Sequence, residues 1–494
     1  MKVNSVSLFL RYADRHPEKM ALLNPGKKPG TFGDLLTSGE GVRRALEQGG
    51  VPPGGMVLLT ALPGPGLFAA VVGALACGAG VVLVEPFMPV KNVEEVIRTV
   101  QPAAWLHDAV GFFWGVRVPA VRAIRRRRFL GAIRPRPAER EPLLVPEDYP
   151  GVLTFTSGTS GQPKGVMRAQ GYLIRQHEIL SDAMQTWHYT DSPDLTVFPN
   201  FVLSNLASGR GSVMVPSRWR DKDLRHLREL PAEHQPVTLT SGPAFLLHLM
   251  RAGGLPGLRS IHIGGALTDN AIFERAFACW PEAHFYHLYG SSEAEPVALA
   301  DARTAVVASR ERGYFQTLFL GKPVPAISSR TEPDRLWISG DHVCPAYVGN
   351  EAENRRAKRR DARGRLWHNM GDRIHSDERG WWYAGREFQP EEDFQLEQEI
   401  YCWLQKSKSF IQRLPSGKRL LIGEGIGHLE EDLRRRFPVL DGVRETPVIR
   451  DARHRARLDR KKMAARAGVA APASQDVAPE PDGLRLNPLP EGGV

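Results

Sequence analysis

The sequence predicts an α/β fold built on parallel sheets, and three observations lead to this class. Between residues 5 and 106, short apolar segments typical of buried strands alternate with segments of helical periodicity. A similar alternation returns between residues 171 and 288. Strands that alternate with helices pack as a largely parallel sheet covered on both faces. The length of 494 residues exceeds what one hydrophobic core supports, so we expect two or more domains.

The chain begins with two amphipathic helical patterns, around residues 6–15 and 37–48, and the segment 31–35 starts the second one. A βαβ unit follows, with a strand at 56–60, a buried helix at 67–77 and a buried strand at 81–84. The uncharged stretch that includes this helix is long enough for a membrane span. It is rich in Ala and Gly and breaks at Gly78-Ala79-Gly80, so a span is the second interpretation.

The elements that follow continue the alternation. Residues 92–100 predict a helix and 103–106 a strand, whereas the basic, proline-rich residues 122–150 predict a surface connection. A long helix is expected at 171–187, and a strand that runs into an apolar turn at 194–201. Further strands are expected at 238–241, 260–263 and 284–288, and a smaller β-rich portion at 324–347. Residues 468–494 carry many Pro, Ala and Gly residues and predict a disordered tail.

The loop after the apolar run 151–155 has the composition of an anion site. Glycines let the backbone N–H groups approach an anion closely, and hydroxyl side chains add donors. Lys164, which follows Pro163, adds a positive charge suited to a polyphosphate. The spacing of a Walker loop is absent, and a flexible linker is the weaker alternative. The candidate ligands in the loop are Thr156, Ser157, Gly158, Thr159, Ser160 and Gly161.

The amino-acid composition bears on the class of protein and on its expected cellular compartment. Apolar residues make up 42% and charged residues 24% of the chain, which is typical of a globular protein. The four cysteines are widely spaced without a C-x-x-C pair, so we expect neither a zinc site nor a disulfide framework, and a cytoplasmic location. The net charge of +10 lies mainly in dispersed runs at 125–128, 355–360 and 434–436. These runs have few interleaved aromatic residues, which favours a solvated surface over a nucleic-acid partner.

The segment 156–165, T-S-G-T-S-G-Q-P-K-G, resembles the phosphate-binding signature of the adenylate-forming enzymes, the AMP-dependent synthetases and ligases. Three later segments resemble motifs of the same superfamily. They are a small-residue turn at Gly264, Gly265 and Ala266; the segment Tyr289, Gly290, Ser291, Ser292 and Glu293; and the pair Asp372 and Arg386. The stretches 90–101 and 191–296 resemble, more loosely, the β-lactone synthetases of olefin biosynthesis and fatty acyl-CoA synthetases.

The resemblance implies a role for each motif. The turn at 264–266 would pack on adenine, on which Tyr289 would also stack. Ser292 would bind the α-phosphate, and Glu293 would hold Mg²⁺. Asp372 would accept hydrogen bonds from the ribose hydroxyls, and Arg386 would add a contact on the ribose side.

The resemblance also implies a domain plan. A large N-terminal AMP-binding domain, residues 1–386, would hold two parallel-sheet α/β subdomains and a small β portion. A reduced, mobile α+β domain would follow at 387–467, with the tail at 468–494. This second domain departs from the superfamily's pattern at two positions. Phe388 occupies the hinge position, and Arg457 occupies the position of the superfamily's catalytic lysine. Arginine keeps the charge but has a wider, planar head group, and Lys461 or Lys462 is a less favoured substitute.

The implied activity is a ligase reaction that uses ATP and Mg²⁺ to form an acyl adenylate from a carboxylic acid and to release pyrophosphate. The acid expected from the resemblance is a fatty or β-hydroxy acid, which places the protein in fatty acid metabolism. Coenzyme A, an acyl carrier protein or the substrate's own β-hydroxyl is the alternative acceptor. The other hypothesis is a catalytically impaired relative that binds nucleotide or acyl groups as a partner subunit, and Phe388 and Arg457 are its support.

Overall fold

The computed structural model describes residues 1–84, 88–138, 141–157, 163–189, 191–215, 221–450 and 458–469. The first part of the chain forms β1 Lys2–Val3, α1 Ser7–Arg15, β2 Met20–Leu23, β3 Gly30–Thr31, α2 Phe32–Gln48, β4 Met56–Thr60, α3 Pro65–Ala76, β5 Gly80–Leu83, α4 Val90–Val100, β6 Ala104–His107, α5 Ala109–Gly115, α6 Pro119–Arg122, β7 Arg127–Phe129, β8 Val145–Pro146, β9 Pro150–Ser157 and β10 Pro163–Ala169.

The middle part forms α7 Gln170–Met184, β11 Asp194–Thr196, α8 Pro199–Ala207, β12 Ser212–Met214, α9 Asp221–Arg228, β13 Thr238–Ser241, α10 Pro243–Arg251, β14 Ser260–Gly264, α11 Asn270–Cys279, β15 His284–Ser291, β16 Ala294–Asp301, α12 Ala302–Glu311 and β17 Phe319–Pro323. The last part forms β18 Ser328–Thr331, β19 Arg335–Ser339, β20 Tyr347–Val348, α13 Glu351–Ala357, β21 Lys358–Arg360, β22 Leu366–Ser376, β23 Trp381–Arg386, α14 Glu391–Leu404, β24 Ser409–Arg413, β25 Arg419–Gly423, α15 Glu430–Arg436, β26 Gly442–Glu445 and α16 Arg460–Arg466.

Two large sheets confirm the α/β prediction. The first has the order β20-β10-β9-β5-β4-β6-β7, and its strands from β9 to β7 are parallel. The second contains β2, β12, β11, β13, β14 and β15 as parallel neighbours. It continues without a break through β16, β17, β23, β22, β19 and β18, so the small β portion extends this sheet.

The predicted βαβ unit is present, and its helix is buried. Helix α3 lies against α2, and every residue from Leu67 to Ala76 is buried. A side chain at Gly73 would lie 2.4 Å from the carbonyl oxygen of Gly39, which shows how closely the two helices approach. Core packing therefore explains this uncharged stretch. Across the described residues, no helix is both long enough and apolar enough to cross a bilayer.

Two local predictions are wrong. Residues 199–207 form helix α8 where an apolar turn was expected, because Pro199 occupies the first helical turn, where a missing N–H costs nothing. Strand β15 continues past Leu288 to Ser291 and pairs with β16, so the segment 289–293 is the tip of an antiparallel hairpin.

Residues beyond Arg386 form a small α+β unit. Helix α14 packs on the three-stranded sheet β24-β25-β26, and α16 covers the other side. The apolar core of this unit includes Ile400, Leu421 and Leu433. Hydrogen bonds from Ser407 to Asp269 (2.7 Å) and from Gln398 to Gln316 (3.0 Å) join it to the second sheet.

Candidate active site

The predicted phosphate loop connects β9 to β10. The backbone of Thr156 and Ser157 ends β9, and Lys164 lies opposite Thr156 on β10. Gly158, Thr159, Ser160 and Gly161 lie outside the described residues. Their phosphate contacts therefore stay predictions, whereas the hairpin that carries Lys164 is in place.

Lys164 is held by a residue that the sequence did not single out. Its Nζ lies 2.5 Å from Oε1 of Glu353 and 5.4 Å from the centre of the Tyr347 ring, and only 8% of the residue is exposed. Burial opposes the charge on Glu353, but hydrogen bonds from Arg356 and Lys164 outweigh it and lower the pKa of the carboxyl group. The lysine thus sits in a fixed, charge-balanced position at the base of the loop.

A row of alternating charges continues from this pair towards the end of the large domain. Arg356 lies 2.6 Å from Glu353, and its other nitrogen contacts Glu387. Glu387 also accepts a hydrogen bond from Asn369 (3.1 Å). The row therefore runs from Lys164 to Glu387, the residue directly before Phe388.

Glu293 stands at the tip of the β15–β16 hairpin. Its Oε1 accepts a 2.7 Å hydrogen bond from the Tyr347 hydroxyl, so one tyrosine contacts both Glu293 and the Lys164 region. Burial raises the pKa of Glu293, but His368, the Tyr347 hydrogen bond and the nearby lysines lower it to about 2. The side chain is a carboxylate at neutral pH.

This carboxylate suits a magnesium ion that is bound mainly by phosphate and water. Mg²⁺ is commonly held by one or two protein carboxylates together with substrate phosphates. Among the described residues there is no group of three or more His, Cys, Asp or Glu side chains that could hold a metal by itself. A lone ionised Glu293 fits the first kind of site and not a closed protein cage.

The strands β22 and β23 bring the predicted ribose residues together. Asp372 and Arg386 face each other across this hairpin, with Nη1 of Arg386 2.9 Å from Oδ1 of Asp372. The Tyr289 hydroxyl donates a 2.6 Å hydrogen bond to Oδ2 of the same carboxylate. Burial and Asp372 raise the pKa of Tyr289, which keeps its hydroxyl protonated. The three residues form one polar group, in which Asp372 is buried and Tyr289 and Arg386 are partly exposed.

The small-residue turn lies beside this group. Strand β14 ends at Gly264, and Gly265 has a φ of +79°, a value that favours glycine. A side chain at Gly265 would lie 3.4 Å from the Phe198 ring, and Ala266 follows. Phe198 therefore borders the turn, whereas Phe201 is buried among core residues.

A side chain of β10 contacts the tip of the β15–β16 hairpin. Arg168 on β10 donates a 2.8 Å hydrogen bond to the Ser292 carbonyl, and Ser291 receives a 3.3 Å bond from the Glu293 N–H. Gly290 lies between Tyr289 and Ser291 on β15. The structure thus gathers five residues that are spread over more than 220 positions of the sequence: Lys164, Tyr289, Glu293, Asp372 and Arg386.

Residues that sequence reasoning missed complete the cluster. Lys358 belongs to the basic run 355–360, which was expected to be solvated, but its side chain is buried and contacts the Cys344 carbonyl. That expectation is wrong for Lys358, although Arg355 and Arg360 are exposed. The predicted β-rich portion at 324–347, which ends at Tyr347, was the nearest sequence signal that the neighbouring chain is buried.

The residues predicted to act from the C-terminal domain are only partly described by the structure. Phe388, at the predicted hinge, is 64% exposed between β23 and α14. Arg457 lies outside the described residues. Lys462 pairs with Asp459 at 2.8 Å on the surface of α16, and Lys461 is exposed beside it.

Comparisons with known proteins agree with this geometry. A sequence model described as AMP-binding enzyme matches residues 9–331, well over half of the chain. An olefin beta-lactone synthetase of Xanthomonas campestris pv. campestris is 24% identical over 437 residues, which cover 78% of each protein. The AMB antimetabolite synthetase AmbE of Pseudomonas aeruginosa is 26% identical over 70% of this chain and 17% of its own length.

Solved structures show the same fold. The crystal structure of IdnL7 aligns with a TM-score of 0.76 at 20% identity, covering 94% of this chain and 98% of that one. The O-succinylbenzoate coenzyme A synthetase MenE of Bacillus subtilis, in complex with AMP, aligns with a TM-score of 0.75 at 16% identity and the same coverage.

The chain belongs to the AMP-binding enzyme family. It is an AMP-forming acid ligase, which uses ATP to activate a carboxylic acid for acyl transfer.

Proposed function

We propose that this ligase activates a fatty or β-hydroxy acid at the site formed by Lys164, Glu293, Asp372 and Arg386. The observation that carries this proposal is the continuity of the site. Tyr347 links Lys164 to Glu293, and Tyr289 links the Glu293 hairpin to Asp372. Phosphate-binding and ribose-binding groups are thereby held in one rigid arrangement, as orientation of two reactants requires.

Each residue has a role that its chemistry supports. Asp372, held in place by Tyr289 and Arg386, would accept hydrogen bonds from the ribose hydroxyls. Lys164 and the loop 156–161 would hold the β- and γ-phosphates, which leave as pyrophosphate. The acid carboxylate would attack the α-phosphorus near Ser292. A magnesium ion on Glu293 would neutralise phosphate charge when bound.

The acid would lie beside Phe198, which borders the turn at 264–266 predicted to pack on adenine. No histidine follows Phe198, and α8 presents Phe201 to the core. An apolar border next to the adenylation centre favours an acid with an alkyl chain over an acid that carries a second charged group. The likeness to an olefin beta-lactone synthetase supports a β-hydroxy acid in particular.

For the second step, three acceptors remain. Coenzyme A and an acyl carrier thiol would add from outside, whereas the substrate's β-hydroxyl would close a lactone within the site. The proposed domains 1–386 and 387–467 would change their relative position between the two steps. The α+β unit with its own core supports this boundary, and exposed Phe388 lies at it.

The alternative is a relative that binds nucleotide without completing catalysis. Arg457 in place of a lysine is the observation that favours it, because one misplaced donor costs about 10²–10³ in rate. The intact Lys164, Glu293 and Asp372 favour the enzyme.

Product analysis separates these possibilities. The protein is incubated with ATP, Mg²⁺ and matched saturated and β-hydroxy acids, with and without coenzyme A, and AMP, thioester and lactone are measured. AMP formed with a β-hydroxy acid but not with its saturated counterpart supports the β-lactone route. If the native protein forms no AMP but Arg457→Lys does, the impaired alternative is supported. AMP formation only with a short polar acid contradicts the proposed substrate class.

A further inference from the structure

One of the basic runs, residues 125–128, lies in a segment that has no acidic residue to balance its charge. Residues 109–138 contain eight arginines and no Asp or Glu, so this segment carries eight of the ten net positive charges. All eight are exposed: Arg117, Arg122, residues 125–128, Arg134 and Arg136. Within the described part of the chain, none of them lies within ion-pair distance of a carboxylate. A solvated basic run normally includes compensating acids, as on α15, where Arg435 pairs with Glu431 and Asp432.

The segment wraps around an edge of the first sheet. Strand β7, Arg127–Phe129, is the outermost strand, and all three of its residues are exposed. Val118 and Val121 pack in the core on one face of the sheet, whereas Leu130 and Ile133 pack on the other. The arginines therefore cover a broad rim, not a pocket.

Exposed apolar side chains lie at one end of this rim. Val110 and Phe113, one helical turn apart on α5, are 55% and 66% exposed, and Leu62 and Phe129 are also exposed. Leu62 follows β4, α5 follows β6, and Phe129 ends β7, so all four lie at the carboxyl edge of parallel strands. The phosphate loop follows β9 at the same edge, four strands or about 19 Å from β7.

We propose that this rim docks on the surface of an anionic phospholipid membrane. Exposed aromatic and aliphatic side chains beside a field of cationic ones are the features of interfacial membrane binding. Each arginine near such a surface is attracted by the negative headgroups, and guanidinium binds phosphate oxygens in a bidentate way. Exposed arginines that lie around a sheet edge, without a pocket, suit the surface of a bilayer better than a nucleic acid or one carrier helix.

The consequence concerns substrate access. A docked rim would place the carboxyl edge of the first sheet, and with it the phosphate loop, beside the bilayer, where apolar acids dissolve. The docking itself does not depend on the proposed activity, because it is measured without ATP or acid.

Sedimentation of the full chain with vesicles tests the proposal. We expect binding to mixed phosphatidylcholine–phosphatidylglycerol vesicles, weakened by salt, and none to phosphatidylcholine alone. The triple variant R125Q/R127Q/R128Q should lower the partition coefficient about 100-fold. The matched control R434Q/R435Q/R436Q removes the same charge from α15 and should leave binding unchanged.

A second pair of variants tests the apolar part. Phe113→Ser should lower the partition coefficient about tenfold, because one large side chain no longer enters the interface. Val307→Ser, at another exposed apolar position (58%), should have no effect. Melting temperatures of all variants should equal that of the native protein, since these side chains are exposed.

Four outcomes overturn the proposal. They are absence of vesicle binding, equal binding to neutral vesicles, equal losses in both triple variants, and binding of nucleic acid or an acidic carrier protein through the rim in place of vesicles. Absence of ATP–pyrophosphate exchange would contradict the proposed activity and leave this result standing.

Discussion

Replacement of Glu353 by glutamine tests how Lys164 is positioned. Glu353 contacts Lys164 at 2.5 Å and Arg356 at 2.6 Å, and its side chain is nearly buried. Removal of one partner from a buried ion pair typically costs 3–5 kcal/mol, so we expect Glu353→Gln to lower the free energy of unfolding by about 3 kcal/mol. The substitution leaves Lys164 buried without its nearest carboxylate.

The same substitution should slow catalysis. A displacement of about 1 Å in a group that orients the substrate can cost about 100-fold in rate. We therefore expect ATP–pyrophosphate exchange to fall about 10- to 100-fold in kcat, with a smaller change in the KM for the acid. Denaturant unfolding and exchange kinetics of the same preparation provide both values.

A matched control separates this effect from charge removal in general. Glu274 pairs with Arg310 at 3.0 Å on the surface, where both side chains are 45% exposed. Glu274→Gln should change stability by less than about 1 kcal/mol and leave exchange unaltered. If Glu353→Gln exchanges as fast as the native protein, or faster, Glu353 only competes with phosphate for Lys164 and the positioning role is refuted.

Two further predictions concern the nucleotide site and the pH dependence of folding. Asp372→Asn should raise the KM for ATP about 10- to 100-fold, because a charged hydrogen bond is worth about 1.5–3 kcal/mol. Asp334→Asn removes a carboxylate that pairs with Arg373 and not with Arg386, so it should not change the KM. Equal effects in saturation kinetics would contradict the ribose role. Burial lowers the pKa of His287 to about 4, and burial together with Lys358 lowers that of His368 to about 3, so both are neutral in the folded protein at pH 5 and above. Each histidine binds a proton more readily in the unfolded chain, so the free energy of unfolding is highest above about pH 6.5. As the pH drops from there towards 4, each histidine should lower it by about 1.4 kcal/mol per pH unit. Urea unfolding at pH 7 and pH 5 measures this change, and equal values would contradict the burial of these rings.

Local patterns predicted most of the elements around the site. The strand Met56–Thr60 has the predicted bounds, and α1 begins one residue after its prediction. Helix α2 begins directly after Thr31, within the expected segment 31–35, because Thr31 and Asp34 form a reciprocal capping box. These elements depend on nearby residues, which is why the sequence alone sufficed.

The errors arose where tertiary pairing decides the structure. The predicted strand stopped at residue 288, yet pairing with β16 extends it to Ser291. Similarly, no local signal shows that Glu353 reaches Lys164, 189 residues earlier. Family motifs predicted the ligands of ATP, but the side chains that contact these predicted ligands became visible only in the folded chain.

The central claim, adenylation at the Lys164–Glu293–Asp372 site, is tested most directly by ATP–pyrophosphate exchange across fatty, β-hydroxy and aryl acids, in the native protein and in Lys164→Ala. The account predicts exchange that depends on a fatty or β-hydroxy acid and is lost in Lys164→Ala. Exchange that survives in Lys164→Ala would contradict the assignment of the site. Measurable ATP binding without exchange, with every acid and also in Arg457→Lys, would contradict adenylation itself.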